Sequence, residues 1–286
     1  MYLGFSTTLL PELTDLPDIA ARIAAAGYDG IEWRVHPDYH IRPSEILVQA
    51  PQLRELADAH GLRVPCLASY LQWTELGAIE QLLEAARILG CPKVRLAGFV
   101  YDRTESYERV HERALEQIAR ALPLLQSAGV AGLIETHFGT IHASAQGARQ
   151  IVRHFDPAAV GVILDASNLC VEGREDWALS LDLLGPWLQH VHVRNTEWCR
   201  DDQNRWRWQW ADLATGLVPW QEVFDLLGNR GYSGFATSEN IWGVPKRTSG
   251  YIGEIGPYMG GRGEPRSIAQ RLGDIDYLKK LARPQG

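Results

Sequence analysis

Short apolar runs of strand type alternate with helical periodicity along nearly the whole chain, and that alternation limits the fold more than any other feature. The first run is Tyr2–Ser6. Leu16, Ile19, Ala20 and Ile23 then recur at i, i+3, i+4 and i+7, the stripe of a helix that buries one face. Gly27 stops that helix and Asp29–Arg34 follows. Helical stretches over residues 43–59, 75–89, 105–127, 143–154 and 175–186 lead, in that order, into Leu62–Ala68, Lys93–Ala97, Val130–Glu135, Gly161–Asp165 and Gln189–Val193. Trp220, Val223, Phe224 and Leu227 form a further stripe before Gly234–Glu239, and Ile268, Leu272 and Ile275 mark a last helix.

Apolar strands separated by helices imply a parallel sheet covered by those helices. Eight such units, at about 36 residues each, imply closure into a single (β/α)8 barrel of the α/β class. No Pro/Ser linker or change of composition divides the 286 residues, so residues 1–286 read as one domain.

Two connections are too long for plain βα turns. Arg194 to Gly216 holds Trp198, Trp206, Trp208 and Trp210. Ile241 to Glu264 holds seven glycines together with Lys246 and Arg247, and reads as a mobile lid. The run Arg205 to Trp210 alternates basic and aromatic residues, which suits a packed loop, a subunit contact or stacking on a sugar face. Nucleic-acid binding is disfavoured, since 28 Lys and Arg face 35 Asp and Glu. No run of 18 apolar residues reads as a membrane span and no signal peptide is legible. The four cysteines show neither CxxC pairing nor zinc-ribbon spacing, as expected of a reduced cytoplasmic protein. A homo-oligomer is left open.

Polar residues at the C-terminal ends of barrel strands converge on one mouth. Those ends supply Glu135, Asp165, His192 and Glu239 on strands five to eight. One carboxylate there would be an ordinary helix cap. Three crowded together repel unless a cation neutralises them, so the four residues predict a site for one divalent metal. Three oxygens and one imidazole suit Mn²⁺, ahead of Mg²⁺, Co²⁺ or Zn²⁺. Such a site is a Lewis acid for a hydroxy-ketone, stabilising the enediolate left when a proton departs next to the carbonyl, with Glu135 and Glu239 as proton carriers.

The same residues resemble the xylose isomerase-like TIM barrel superfamily of sugar phosphate isomerases and epimerases. The resemblance is carried by AGYDGIEWR (Ala26 to Arg34), ETHFG (Glu135 to Gly139), LDASN (Leu164 to Asn168), HVHVRN (His190 to Asn195) and the closing stretch Gly216 to Glu239. It implies Glu135, Asp165, His192 and Glu239 as metal ligands, with both glutamates also acting as acid and base on a small keto-sugar. One position departs: many sugar epimerases of the superfamily carry a histidine where this chain has Asn168. That departure leaves a lyase or decarboxylase on the same site as the alternative. Cleavage of abasic DNA, also known on this barrel, needs further histidines that the early strand ends Ser6, Arg34, Ala68 and Ala97 do not supply.

Substrate contacts are expected from Arg34, His137, Asn168, His190, Asn195 and Trp198. Arg34 and Arg95, near the ends of strands two and four, suit an anionic or polyhydroxylated substrate, or an ion pair of Arg34 with Glu32 or a loop carboxylate. His190 is equally well read as a structural histidine lower in the barrel.

Overall fold

Helix caps set where each helix stops and therefore where the chain returns to the sheet. The structure is a computed structural model that describes residues 1–244 and 264–283. Helix α1 (Leu16–Ala26) begins where the Asp15 carboxylate accepts the Asp18 N–H, and ends at Gly27 with φ +91°, a conformation that favours glycine. Its buried residues Ile19, Ala20 and Ile23 are the predicted stripe. Helices α2 (Ile46–Ala59), α3 (Leu76–Leu89), α4 (Tyr107–Ala128), α5 (Ala145–Val152), α6 (Ala166–Asn168), α7 (Trp177–Leu184), α8 (Trp220–Asn229), α9 (Ile268–Leu272) and α10 (Asp274–Leu281) follow.

Between the helices run β1 (Tyr2–Ser6), β2 (Gly30–Val35), β3 (Leu67–Ser69), β4 (Lys93–Arg95), β5 (Ala131–Glu135), β6 (Val160–Asp165) and β7 (Leu188–Val193). After an inserted hairpin of β8 (Asn195–Arg200) and β9 (Trp206–Ala211) comes β10 (Phe235–Ser238). The strands outside the hairpin close a barrel in the order β1-β10-β7-β6-β5-β4-β3-β2, and every pairing in it is parallel. This is the single (β/α)8 barrel that the alternation predicts. Among the described residues, no helix is long and apolar enough to cross a membrane.

Several boundaries differ from the expectation for physical reasons. The strand predicted over Leu62–Ala68 pairs only from Leu67, apart from a bridge between Gly30 and Arg63, because Pro65 has no N–H to give the ladder. The stretch Arg194 to Gly216 is a hairpin instead of a loop, with Thr196 opposite Trp210 and Trp198 opposite Trp208. Its alternating sequence has the two-residue period of a strand. The last helix breaks in two at Gly273, and Arg271 ties α9 to the turn that follows β1 by donating to the Leu9 carbonyl and pairing with Glu12. The glycine-rich lid expected over Ile241 to Glu264, with Lys246 and Arg247, lies mostly in residues 245–263, outside the described residues.

The floor of the barrel explains two glycines. Residues two apart on a strand face the same side, so Gly30 shares the inward face of β2 with Glu32 and Arg34. A Cβ on Gly30 would lie 2.6 Å from Phe235 Cε1 and 2.9 Å from the Arg63 carbonyl oxygen, and one on Gly4 would lie 2.5 Å from Thr237 Oγ1. Gly30 leaves room for the Phe235 ring and Gly4 for the Thr237 side chain. Gly30→Ala is expected to cost about 1–3 kcal/mol through overpacking, read as a lower urea midpoint at unchanged slope. An unchanged midpoint would contradict this account of the floor.

Candidate functional site

The alternation of side chains decides what faces the barrel axis. Cys66, Ala131, Leu133 and Ile163 form a small apolar cluster. Two residues further along their strands, Leu133 gives way to Glu135 and Ile163 to Asp165, so a charged layer tops an apolar one. Glu239 directly follows β10, held by its N–H to the Val193 carbonyl at 3.0 Å. One donor atom each from Glu135, Asp165, His192 and Glu239 lies within 4.8 Å of the others, and all four residues are buried.

His192 is the hub. Its Nδ1 is 2.8 Å from Glu135 Oε1 and 3.1 Å from Glu239 Oε2. Its Nε2 is 3.1 Å from Glu32 Oε1, while His190 Nε2 is 2.8 Å from Glu32 Oε2. Three buried guanidinium groups complete the layer. Arg95 Nη2 is 2.7 Å from Glu135 Oε2. Arg194 touches Asp165 and lies 3.7 Å from Glu135 Oε1 and 3.8 Å from Glu239 Oε2. Arg34 Nη1 is 3.7 Å from Glu239 Oε1.

These contacts set the protonation states. Burial works against the charge on Glu32, but His192 and His190 outweigh it and hold the carboxyl well below its usual range. Burial likewise opposes the charges on Glu135 and Glu239, and Arg95, His192 and Arg194 keep Glu135 low while His192 and Arg194 keep Glu239 low. Burial disfavours a charged His192, yet Glu32, Glu239 and Glu135 raise it well above an ordinary imidazole. Asp165 differs. Burial pushes it up to about 7, because Arg194 is shared with Glu135 and Glu239, whose charges oppose its own. The cluster cannot ionise all its acids freely with the cations the chain supplies.

The expected substrate contacts are placed differently from one another. Arg34 reaches the mouth, with its guanidinium over the rings of Tyr70 at 4.0 Å and Tyr39 at 5.0 Å. Its ion-pair partner is Glu239; Glu32 is taken by the two histidines. His137 stays half-buried near Glu135, pushed down to about 4 by burial and so neutral, its Nδ1 2.7 Å from the Phe138 carbonyl. Asn168 is buried, gives its side-chain N–H to the Thr136 carbonyl, and thereby ties the ends of β5 and β6. His190 is fully buried against Glu32, in the structural position. Asn195 spends its amide within the chain: Nδ2 donates to the Leu213 and Val218 carbonyls, and Oδ1 accepts from Val218 and Thr196. Trp198 donates to the Cys170 carbonyl.

Four participants escaped the sequence reading. Arg194 had a signal: it lies two residues past His192 and so shares its inward face, whereas Asn195 has the opposite parity. Glu32 shares the inward face of β2 with Arg34. Tyr70 extends the inward face of β3, and its hydroxyl accepts from Arg95 Nη1 at 2.9 Å. His142 had none, since it comes from a loop. It accepts the Phe99 N–H and its Nδ1 faces the Glu135 carbonyl at 2.8 Å, which fixes the end of β5.

The family model of the xylose isomerase-like TIM barrel matches residues 20–254, and the chain belongs to that family. No curated protein matches it in sequence. Among solved structures it is similar to a D-allulose 3-epimerase from Methylomonas sp., with 16% identity, 98% of each chain covered and a TM-score of 0.76. It is also similar to the IolI protein with a bound zinc atom, at 17% identity, 99% of this chain and 98% of that one, TM-score 0.73. A third is the probable 3-DHS dehydratase of Bacillus anthracis, at 17% identity, 96% and 99% coverage, TM-score 0.67. At such identities the likeness is one of fold.

The pKa of Asp165 gives a test in chelator-treated protein. With its folded value near 7 and an unfolded value near 3.8, the folded chain keeps a proton that the unfolded chain has lost. Stability from this group is therefore lost as pH rises through 7. Asp165→Asn is expected to gain about 2 kcal/mol on the wild type between pH 5.5 and pH 8, measured by urea unfolding. A gap between the two proteins that does not change with pH would contradict it.

Proposed function

We propose that the chain is a divalent metal-dependent enzyme that isomerises or epimerises a small keto-sugar or sugar derivative by moving a proton on the carbon beside its carbonyl. The observation that carries this reading is the convergence of Glu135, Asp165, His192 and Glu239 in one buried cluster. The residues fit a cation. Glu135 Oε2, Asp165 Oδ2 and Glu239 Oε2 are buried and held only by ion pairs, with Arg95, Arg194 and His192 respectively, none of them a well-formed hydrogen bond, and His192 turns Nδ1 toward the same space. Oxygen donors with one imidazole favour Mn²⁺, and Mg²⁺, Co²⁺ or Zn²⁺ suit the same set. A divalent cation held there would supply Lewis-acid polarisation of the substrate carbonyl.

The chain's own groups do the rest. Glu32 accepts from Nε2 of His192 and so orients the ring with Nδ1 toward the carboxylates; it is a positioning residue. Glu135 and Glu239 come from strands that flank β6 and β7, so they stand on either side of Asp165 and His192. One carboxylate takes the proton from carbon and the other returns one. Both are held ionised, which suits a base, and Arg95 fixes Glu135 against rotation. Trp208 and Trp210 of the hairpin pack on Phe138 and put an apolar wall beside the charged layer.

A lyase outcome shares the first proton transfer and is favoured by one observation, the dehydratase among the chains of the same fold. Incubating the Mn²⁺-loaded protein with a panel of keto-sugars in heavy water separates the two. Epimerisation or isomerisation places one deuterium per turnover on the carbon next to the carbonyl without loss of atoms. A product lighter by water or carbon dioxide selects the lyase. No exchange and no product with any keto-sugar overturns both.

A further inference from the structure

The Arg34 guanidinium is the least satisfied charged group in the molecule's charged layer. The residue is 7% exposed, and among the described residues its guanidinium donates no hydrogen bond. Its Nε is buried without a partner, and its nearest carboxylate oxygen, on Glu239, is 3.7 Å away, beyond a normal hydrogen bond. The flat face of the group is occupied: it lies 4.0 Å from the Tyr70 ring and 5.0 Å from the Tyr39 ring. Stacking satisfies the face of a guanidinium and leaves its N–H edge free, in a geometry that matches a planar or tetrahedral oxyanion. Leaving the buried Nε of a charged group unpaired is costly, which favours an acceptor along that edge.

The charge balance points the same way. Glu32, Glu135, Asp165 and Glu239 supply four potential negative charges to the layer, and Arg34, Arg95 and Arg194 supply three positive ones. The two remaining buried charged residues, Arg271 and Asp274, pair elsewhere, with Glu12 and Arg266. A divalent cation on a neutral His192 would therefore turn a deficit of positive charge into an excess. Arg95 is committed to Glu135 and Tyr70. Arg34 and Arg194 reach different oxygens of Glu239, at 3.7 and 3.8 Å, so the excess faces the mouth on both sides of that carboxylate.

We propose that the substrate carries an anionic group, a carboxylate or a phosphate, held by the free N–H edge of Arg34. This deepens the reading of the site as a metal-dependent keto-sugar enzyme and rests on it for the identity of the rest of the substrate. The hydroxyls of a neutral sugar could accept from Arg34, but only an anion would also answer the excess charge. Arg34 is thus a specificity-determining residue, with Tyr39 and Tyr70 fixing the plane of its guanidinium.

The test reads binding, not turnover. Dihydroxyacetone, hydroxypyruvate and dihydroxyacetone phosphate are three small hydroxy-ketones that differ in bearing no charge, a carboxylate or a phosphate. Their dissociation constants are measured by calorimetry on Mn²⁺-loaded wild type, Arg34→Gln and Arg34→Lys, with Mn²⁺ content and melting temperature recorded on the same samples. At least one acidic probe should bind tenfold or more tightly than dihydroxyacetone. That preference should vanish in Arg34→Gln, survive in part in Arg34→Lys, and weaken with added salt. Whichever acidic probe binds more tightly identifies the anionic group. Equal constants for the three probes, absence of binding by all of them, or a preference that persists in Arg34→Gln overturns the proposal. Loss of Mn²⁺ binding in the wild type instead counts against the metal-dependent reading, and the Arg34 preference is then read in the metal-free protein.

Discussion

Everything at the barrel mouth depends on how the charges of closely packed, buried acids are compensated. Four carboxylates stand in one charged layer with almost no water to screen them. Isolated, each would cost several kcal/mol to ionise there. Arg95, Arg194 and the imidazole of His192 make that layer possible, and their partners are chosen by strand order. β5, β6, β7 and β10 are consecutive in the closed sheet, so Glu135, Asp165, His192 and Glu239 cannot avoid one another. Asp165, buried and close to both glutamates, holds the acid with the weakest hold on its charge.

Much of the surrounding architecture can be understood as support for that layer. The hairpin β8–β9 leaves the sheet directly after β7 and sets Trp210 4.6 Å from the Arg194 guanidinium. Asn195 anchors the hairpin base on both sides, which holds Arg194 one residue away against the carboxylates. Glu32 on the opposite side of the barrel steadies His192 through Nε2 and is itself held by His190. His142 does the same for the main chain of Glu135. The site is thus positioned from strands, a loop and an insertion at once.

The fold was legible because its signal is periodic. Strand and helix periods repeat through the chain, and local differences such as β3 beginning at Leu67 instead of Leu62 do not alter the count. The four clustered residues were legible because each ends an apolar run, which is a local mark. Neutralisation was not. The crowding of acids was read as requiring a metal, whereas the structure shows three guanidinium groups already sharing that task. The period-two rule was available for Arg194 and would have chosen it over Asn195. The pairing of Glu32 with two histidines far along the chain, and the loop contact of His142, depend on barrel closure and have no local mark in sequence.

We propose that the charged layer holds a divalent cation, with Glu135, Asp165, His192 and Glu239 as its ligands. Anomalous diffraction at the manganese edge from Mn²⁺-soaked crystals tests it most directly. The account predicts one peak per chain, bound by Glu135, Asp165, His192 through Nδ1, and Glu239, with Arg194 withdrawn from Asp165. No peak at these four residues, with the Arg194–Asp165 contact intact at saturating Mn²⁺, would contradict it.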